Sequence, residues 1–165
     1  MMSKLKVDLL LLQKDQIWKD EDWIVPLSLA LEGLTAQQAA WQPQGDNLTI
    51  RQYVNHIQHY NQRVLNRHQD KDPGAEAENN LQTFGSPGDP YDEAGWQQLV
   101  RDVTDTSLAL RDMIDAYDDE SLAAPYPDTH INRGQQLAGW LIHDAYHAGQ
   151  IVLLRKLQGC WRTSN

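Results

Sequence analysis

Apolar side chains recur every three or four residues along most of this chain, a spacing typical of amphipathic α-helices. Runs that alternate apolar and polar residues, as a β-strand does, are weak. The predicted long helices cover residues 4–18, 50–69, 91–117 and 133–158. Four long helices with few strands predict an all-α fold, a four-helix bundle. The 165 residues suit one domain, so we treat residues 1–165 as a single bundle.

Polar residues mark where several of these helices begin and end. A Thr or Asn followed three residues later by Gln forms a capping box, in which each side chain bonds the other residue's backbone N–H. The three such pairs are Thr35 with Gln38, Thr49 with Gln52, and Asn132 with Gln135. Asp89-Pro90 predicts the start of the third long helix, and Gly159 the end of the last.

The connections between the helices differ in length. The first helix is expected to break or bend around Trp23 to Pro26, because proline lacks a backbone donor. Pro26 is equally consistent with the first turn of a resumed helix that ends near Gly33. Residues 43–47 and 125–130 are predicted loops. The polar connection over residues 70–89 is long for a compact domain, which favours a crossover and a functional or mobile loop.

Two histidines of the last helix, His143 and His147, stand four residues apart. At about 100° per residue their rings point within about 40° of each other, beside the buried stripe. Two imidazoles with this spacing are a two-point ligand for a divalent transition metal. A zinc-protease helix carries Glu directly after the first of the two, whereas this chain has Asp144, which disfavours that mechanism.

Helical phase also sorts the histidines of the second long helix. Its core stripe consists of Ile50, Val54, Ile57, Asn61 and Val64. His56 lies about 100° from the centre of this stripe, whereas His59 lies about 160° away, on the outer face. We therefore expect His56 to be the third ligand. His68, near a helix end, and His130, in a loop, are expected to be ordinary surface residues.

Four aromatic residues are candidates for a pocket around these histidines. Tyr53 and Tyr60 flank His56, and Trp140 lies on the same side of the last helix as the histidine pair. Trp23 stands where a bent first helix would line the pocket mouth. Simple packing is the alternative for each of them, because aromatic side chains commonly fill space.

Charge and composition exclude several classes of partner. The formal net charge is −9 and the pI about 4.9, whereas a nucleic-acid footprint needs clustered Lys and Arg. No apolar run reaches the roughly 18 residues that span a bilayer, so no membrane partner is expected. The first residues contain no signal-peptide core, which favours a cytoplasmic location. The single cysteine, Cys160, excludes an internal disulfide.

Three segments resemble the motifs of one family. They are LEGLTAQQAAWQP at residues 31–43, NLTIR followed by VNHI at residues 47–57, and HDAYHAGQI at residues 143–151. In this order they resemble the DinB superfamily of DinB/YfiT-like metalloproteins, over nearly the whole chain. The resemblance implies an up-down-down-up bundle, frequent homodimers, and a metal site formed by His56, His143 and His147, the histidines that helical phase also selects.

The resemblance also narrows the chemistry. It implies zinc or nickel, and either a thiol S-transferase or isomerase that uses a low-molecular-weight thiol, or a metal-dependent hydrolase. Three neutral imidazoles leave a coordination position open, where a thiol or a water becomes acidic. Our leading hypothesis is thiol transfer to a small electrophile.

Two other functions remain open from the sequence. Hydrolysis of a small ester, amide or lactone needs a general base near the metal. Asp144 points about 100° away from His143 and is expected to serve the core or to orient a neighbour, and Asp46 or Asp89 would have to approach from loops. The third hypothesis is a stress-related protein that binds a ligand or metal without catalysis.

Overall fold

The computed structural model describes residues 3–45 and 48–162, so the candidate base Asp46 and the end of the predicted loop at Asn47 lie outside it. The regular elements of the described residues are all helical, apart from one isolated bridge between Pro125 and Asn132. The chain is thus all-α, as predicted. The helices are α1 (Leu5–Trp18), α2 (Leu27–Leu31), α3 (Ala36–Ala39), α4 (Ile50–His68), a 3-10 helix (Asn80–Phe84), α5 (Glu93–Asp115), α6 (Asp119–Ala123) and α7 (Arg133–Leu157).

The predicted capping boxes set the starts of three helices. At α4 the Thr49 side chain accepts a hydrogen bond from the Gln52 backbone N–H, and the Gln52 side chain accepts one from the backbone of Thr49. The same reciprocal pairs begin α3 and α7. Gly159 follows α7 with φ +70°, a left-handed conformation that glycine adopts at low cost. The predicted bounds of α4 and α7 are confirmed to within one residue.

Two of the predicted boundaries need correction. α5 begins at Glu93 and not at Tyr91, because the side chain that caps it is Asp92, which accepts from the Gly95 N–H at 2.9 Å. Asp89 instead accepts from the Tyr91 N–H, before the helix. The first helix ends at Trp18, before the break or bend expected around Trp23 to Pro26. The short helix α2 begins directly after Pro26 and ends at Leu31, so this proline precedes a resumed helix and does not bend a continuous one.

The core consists of two hydrophobic clusters, and all four long helices contribute to both. α4, for example, contributes Ile50, Val54 and Ile57 to one cluster and Val64 to the other. The predicted stripe of α4 is confirmed, since all five of its residues are buried.

A buried polar layer separates the two clusters, and each long helix supplies one residue to it. These residues are Lys14 of α1, Asn61 of α4, Ser107 of α5 and Asp144 of α7. The three histidines singled out above lie beside this layer, on α4 and α7. No helix among the described residues is long and apolar enough to cross a lipid bilayer.

Candidate metal centre

Three histidine rings from α4 and α7 meet at one point. The Nε2 atom of His143 lies 3.0 Å from Nε2 of His56 and 3.2 Å from Nε2 of His147. Their candidate ligand atoms all lie within 4.8 Å of one another. His56 and His147 are buried, and His143 is partly exposed. The structure thus brings together the three histidines that helical phase selected, and leaves His59 outside the cluster.

The hydrogen-bond partners of the other ring nitrogens fix the tautomers. His56 Nδ1 lies 2.5 Å from Thr83 Oγ1, and that hydroxyl donates its one hydrogen to the Asn80 carbonyl at 2.6 Å. The hydroxyl therefore accepts from His56, which places the proton of a neutral ring on Nδ1 and a lone pair on Nε2.

The other two rings are held in the same way. His147 Nδ1 donates to Gln150 Oε1 at 2.6 Å, and His143 Nδ1 donates over a longer 3.4 Å to the Asp144 carboxylate. Three Nε2 lone pairs therefore point at one another. An ion bonded to two nitrogens at about 2.1 Å in tetrahedral geometry separates them by about 3.4 Å, so this donor set fits a small divalent cation.

The surroundings of His56 and His147 favour the neutral form of both rings. Burial, followed by the neighbouring rings of His147 and His143, lowers the pKa of His56 to about 3. Burial also lowers the pKa of His147, against the raising effect of its hydrogen bond to Gln150. Both shifts favour the unprotonated ring, which is the form that binds a metal.

A cavity of about 570 Å³ opens at the histidines. Tyr60 and Trp140 line it, together with the histidines themselves. Phe84 covers one side, stacked on His56 with ring centroids 3.9 Å apart and planes 6° from parallel. Tyr53, another candidate for the pocket, does not line the cavity: it lies behind Phe84, with its ring edge toward Phe84 at 5.9 Å and its ring 5.6 Å from His147. The walls are therefore largely aromatic.

The structure places Trp23 away from this cavity. Its side chain is 91 % exposed, in the segment between α1 and α2, and it does not line the cavity walls. The prediction assumed that α1 bends toward the site at this point. Instead α1 ends at Trp18, and the chain leaves the core before Trp23.

The surface assignment of His68 is wrong. His68 is buried, with Nδ1 2.9 Å from the Tyr117 hydroxyl and Nε2 2.8 Å from Gln136 Oε1. These partners come from the segment after α5 and from the start of α7, which together cover the end of α4. His130 is exposed, as predicted.

Comparison with known proteins identifies the family. The sequence model of the DinB superfamily matches residues 27–151, which include all three histidines. The chain belongs to the DinB superfamily. No curated protein and no solved structure matches it.

Several residues that contact the histidines of this DinB-family site were not predicted from the sequence. Thr83 and Phe84 come from the 3-10 helix in the long connection, where no periodicity marks them. The position of Gln150 follows from the helical pattern, because a residue three positions after His147 on a helix lies beside it on the same face. Asp144 serves the core, as expected, since its carboxylate also accepts from Asn61 Nδ2 at 2.9 Å.

Proposed function

We propose that this DinB-family protein binds a divalent transition metal, zinc or nickel, through His56, His143 and His147, and transfers a low-molecular-weight thiol to a small electrophile. One observation carries the proposal. Three buried or half-buried imidazoles from two helices direct unprotonated Nε2 atoms at one point, while each Nδ1–H is bonded elsewhere.

When bound, such an ion supplies Lewis acidity at an open coordination position, which lowers the pKa of a thiol there. Residues of the chain orient the histidine rings and shield the reacting groups. Thr83, Gln150 and Asp144 orient the rings, and the cavity walls of Phe84 and Trp140 exclude water from the thiol and its electrophile. A cavity of about 570 Å³ suits a small molecule as substrate.

The same cavity favours transfer over hydrolysis. No carboxylate is among the described residues that line it. Asp144 is buried and engaged by Asn61 and His143, and Asp89 is occupied by the Tyr91 N–H. A hydrolase would need a general base at this place. A thiol whose pKa a bound metal lowers would release its proton to solvent and act as the nucleophile itself, without help from any of these carboxylates.

The test begins with metal analysis of untagged protein purified without chelator. The loaded protein is then incubated with bacterial thiols and a chromogenic electrophile. We expect acceleration that the His143→Ala variant loses and that the control His130→Ala, which removes an exposed histidine, keeps. Equal rates for the native protein and His143→Ala with every thiol would reject thiol transfer.

The same experiment separates the alternatives. Turnover of an ester, amide or lactone without added thiol would indicate hydrolysis, and tight ligand binding without turnover would indicate a non-catalytic binding protein. Thermal melting with and without chelator separates a functional ion from a structural one. We expect only a small loss of stability on chelation, because the two hydrophobic clusters do not depend on the ion.

We further propose that the long helices form a four-helix bundle in up-down-down-up order, with the long connection as the crossover. In support, α4 and α5 begin in one hydrophobic cluster and end in the other, whereas α1 and α7 begin in the second cluster and end in the first. We propose the cytoplasm as the location, because a free thiol substrate persists in a reducing compartment.

A homodimer is the proposed assembly. α1 and α7 carry apolar side chains on their outer faces as well as their inner ones, and a helix that is apolar on both sides is normally covered on both. The exposed residues of α7 at one helical face are Ile142, Tyr146, Leu153 and Leu157, and those of α1 are Leu5, Leu9 and Leu12. We call this set the outer apolar face.

A further inference from the structure

A second cavity, of about 400 Å³, lies directly beside the metal cavity. Tyr60, Val64, Asn80 and Gln136 line both. Tyr60 lies where the two meet, with its ring 4.9 Å from that of His56 on one side and 5.1 Å from that of His59 on the other. Its hydroxyl donates to Asn80 Oδ1 at 3.1 Å. The two cavities are therefore adjacent, and they meet at the Tyr60–Asn80 pair.

The second cavity is positively charged in an otherwise acidic protein. Arg63 and Arg67 line it. Among the described residues of its walls, one carries a carboxylate, Glu76, which lies 3.8 Å and 3.6 Å from the Nη2 atoms of the two arginines. The Glu76 side chain is 81 % exposed, so solvent weakens both ion pairs. Two guanidinium groups thus share one weakly held carboxylate, although the whole chain has a net charge of −9.

The cavity is preorganised. Arg63 Nη1 donates to the carbonyls of Pro73, Gly74 and Ala75, at 3.1, 2.9 and 2.9 Å, and these bonds fix its guanidinium against the long connection. Burial and the nearby Arg63 lower the pKa of His59, which disfavours its protonated form. A planar donor group held in place suits recognition of a carboxylate or a phosphate.

The two arginines continue the face of α4 that carries the metal site. His56, Tyr60, Arg63 and Arg67 are spaced by four, three and four residues, which keeps them on one side of the helix. At 1.5 Å per residue, Arg63 lies about 10 Å and Arg67 about 16 Å along the axis from His56. A small extended molecule can bridge this distance.

We propose that the arginine cavity binds an anionic group, a carboxylate or a phosphate, at the far end of the molecule whose other end enters the metal cavity. The substrate class is then a small bifunctional molecule with a thiol at one end and an anion about 10 Å away. The thiol end of this inference rests on the proposed function, whereas the anion end rests on Arg63 and Arg67 alone.

The test measures how affinity depends on the distance between the thiol and the anionic group of the ligand. Calorimetry measures the binding of ω-mercaptoalkanoic acids of increasing length to the zinc-loaded protein, with ω-mercaptoalkanols of the same lengths as neutral controls. We expect acid and alcohol to bind equally when short, and the acid to bind at least about tenfold more tightly once the chain reaches about 10 Å, from two charge-assisted hydrogen bonds. The corresponding ω-mercaptoalkyl phosphates show which anion the cavity prefers.

Two substitutions with opposite expected effects on the affinity for the long acid test whether the arginine cavity binds the anion. Arg67→Gln is expected to reduce the advantage of the long acid, because only Arg63 then remains to bind the anion, and Glu76→Gln to increase it, while neither changes the affinity for the alcohols. Arg101→Gln, an exposed arginine of α5, is the matched control. Arg63 is left intact because it also holds the connection.

The outcomes separate this inference from the proposed function. If no thiol of either kind binds, the metal–thiol function fails, and inorganic phosphate titrated into the metal-free protein then decides the arginine cavity. Phosphate binding that Arg67→Gln weakens about tenfold supports it. Equal affinities of acids and alcohols at every length, or phosphate binding unchanged by Arg67→Gln, would overturn it.

Discussion

Each histidine of the candidate metal centre depends on a polar partner at its Nδ1 atom. Thr83, Asp144 and Gln150 hold the protons on Nδ1 and so leave Nε2 free. Among them, Thr83 is the partner supplied by the long connection, outside the two helices that carry the histidines. Its loss would leave the buried Nδ1–H of His56 unsatisfied and the ring free to turn.

Thr83→Val keeps the shape of the side chain and removes the acceptor. We expect it to weaken metal binding about 10- to 100-fold, because partners of metal-bound histidines contribute this much to affinity. Competition with a chromophoric chelator measures the effect. Thr104→Val is the control, since Thr104 also donates to a carbonyl of its own helix but stands on α5, away from the site. Equal losses in the two variants would contradict the role given to Thr83.

Lys14 is a second residue whose behaviour follows from its surroundings. It is 2 % exposed and donates to Ser107, and burial lowers its pKa to about 8, although Asp144 opposes the shift. In the unfolded chain the pKa returns to about 10.4. Below pH 8 both states are protonated, and folding must bury the full charge.

The folded state therefore gains stability as the pH rises from about 8 to about 10.4, where only the unfolded chain still binds the proton. The gain is expected to approach about 3 kcal/mol. Urea unfolding of the metal-free protein across this range measures it, and Lys14→Met is the comparison, because it lacks the titrating amine. Parallel pH curves for the two proteins would show that burial of Lys14 does not have this effect.

At the scale of elements, α4 organises both the core and the site. Its inner face supplies the hydrophobic stripe, and its side chains also hold the long connection. Gln52 Nε2 donates to the Gly85 carbonyl and Asn55 Nδ2 to the Phe84 carbonyl, both at 3.1 Å. These bonds fix the end of the 3-10 helix, and with it Thr83 and Phe84, over His56.

Gly85 makes this close approach possible. Its φ of +64° and ψ of −155° lie in a region that residues other than glycine rarely adopt, and an added Cβ would lie 3.2 Å from Asn55 Nδ2. We expect Gly85→Ala to cost about 1–3 kcal/mol of folding stability and to weaken metal binding. Gly74→Ala, at φ +84° with nothing within 4 Å of its added Cβ, should leave metal affinity unchanged. Chemical denaturation and metal titration of both variants provide the comparison.

At the scale of the whole molecule, charge and apolar surface are unevenly distributed. The protein is acidic overall, yet the arginine cavity beside the metal centre is cationic. The outer apolar face of α1 and α7 is the other departure from an ordinary surface. Tyr146 belongs to this face and also lines the metal cavity, so a second copy bound there would stand near the cavity mouth.

Leu153→Glu places a charge in the middle of the outer apolar face. Leu153 is 56 % exposed in the single chain, so the substitution should cost little within the fold. We expect it to convert a dimer to a monomer in sedimentation velocity, because an unpaired charge in an apolar interface is strongly unfavourable. Leu108→Glu, at an exposed position of α5, should leave the dimer intact. A native protein that sediments as a monomer would refute the dimer.

The sequence by itself determined the all-α class, the helix starts at three capping boxes, and the choice of His56, His143 and His147. These features depend on one helix at a time, because capping needs four consecutive residues and phase needs only the regular 100° step. The tertiary structure decided the contacts between distant segments. It placed Thr83 and Phe84 over His56 and buried His68 and Lys14. It also left Trp23 in solvent and set Arg63 and Arg67 in a cavity beside the metal centre. Such contacts leave no periodic pattern in the sequence, because they depend on which distant segments the packing of the helices brings together.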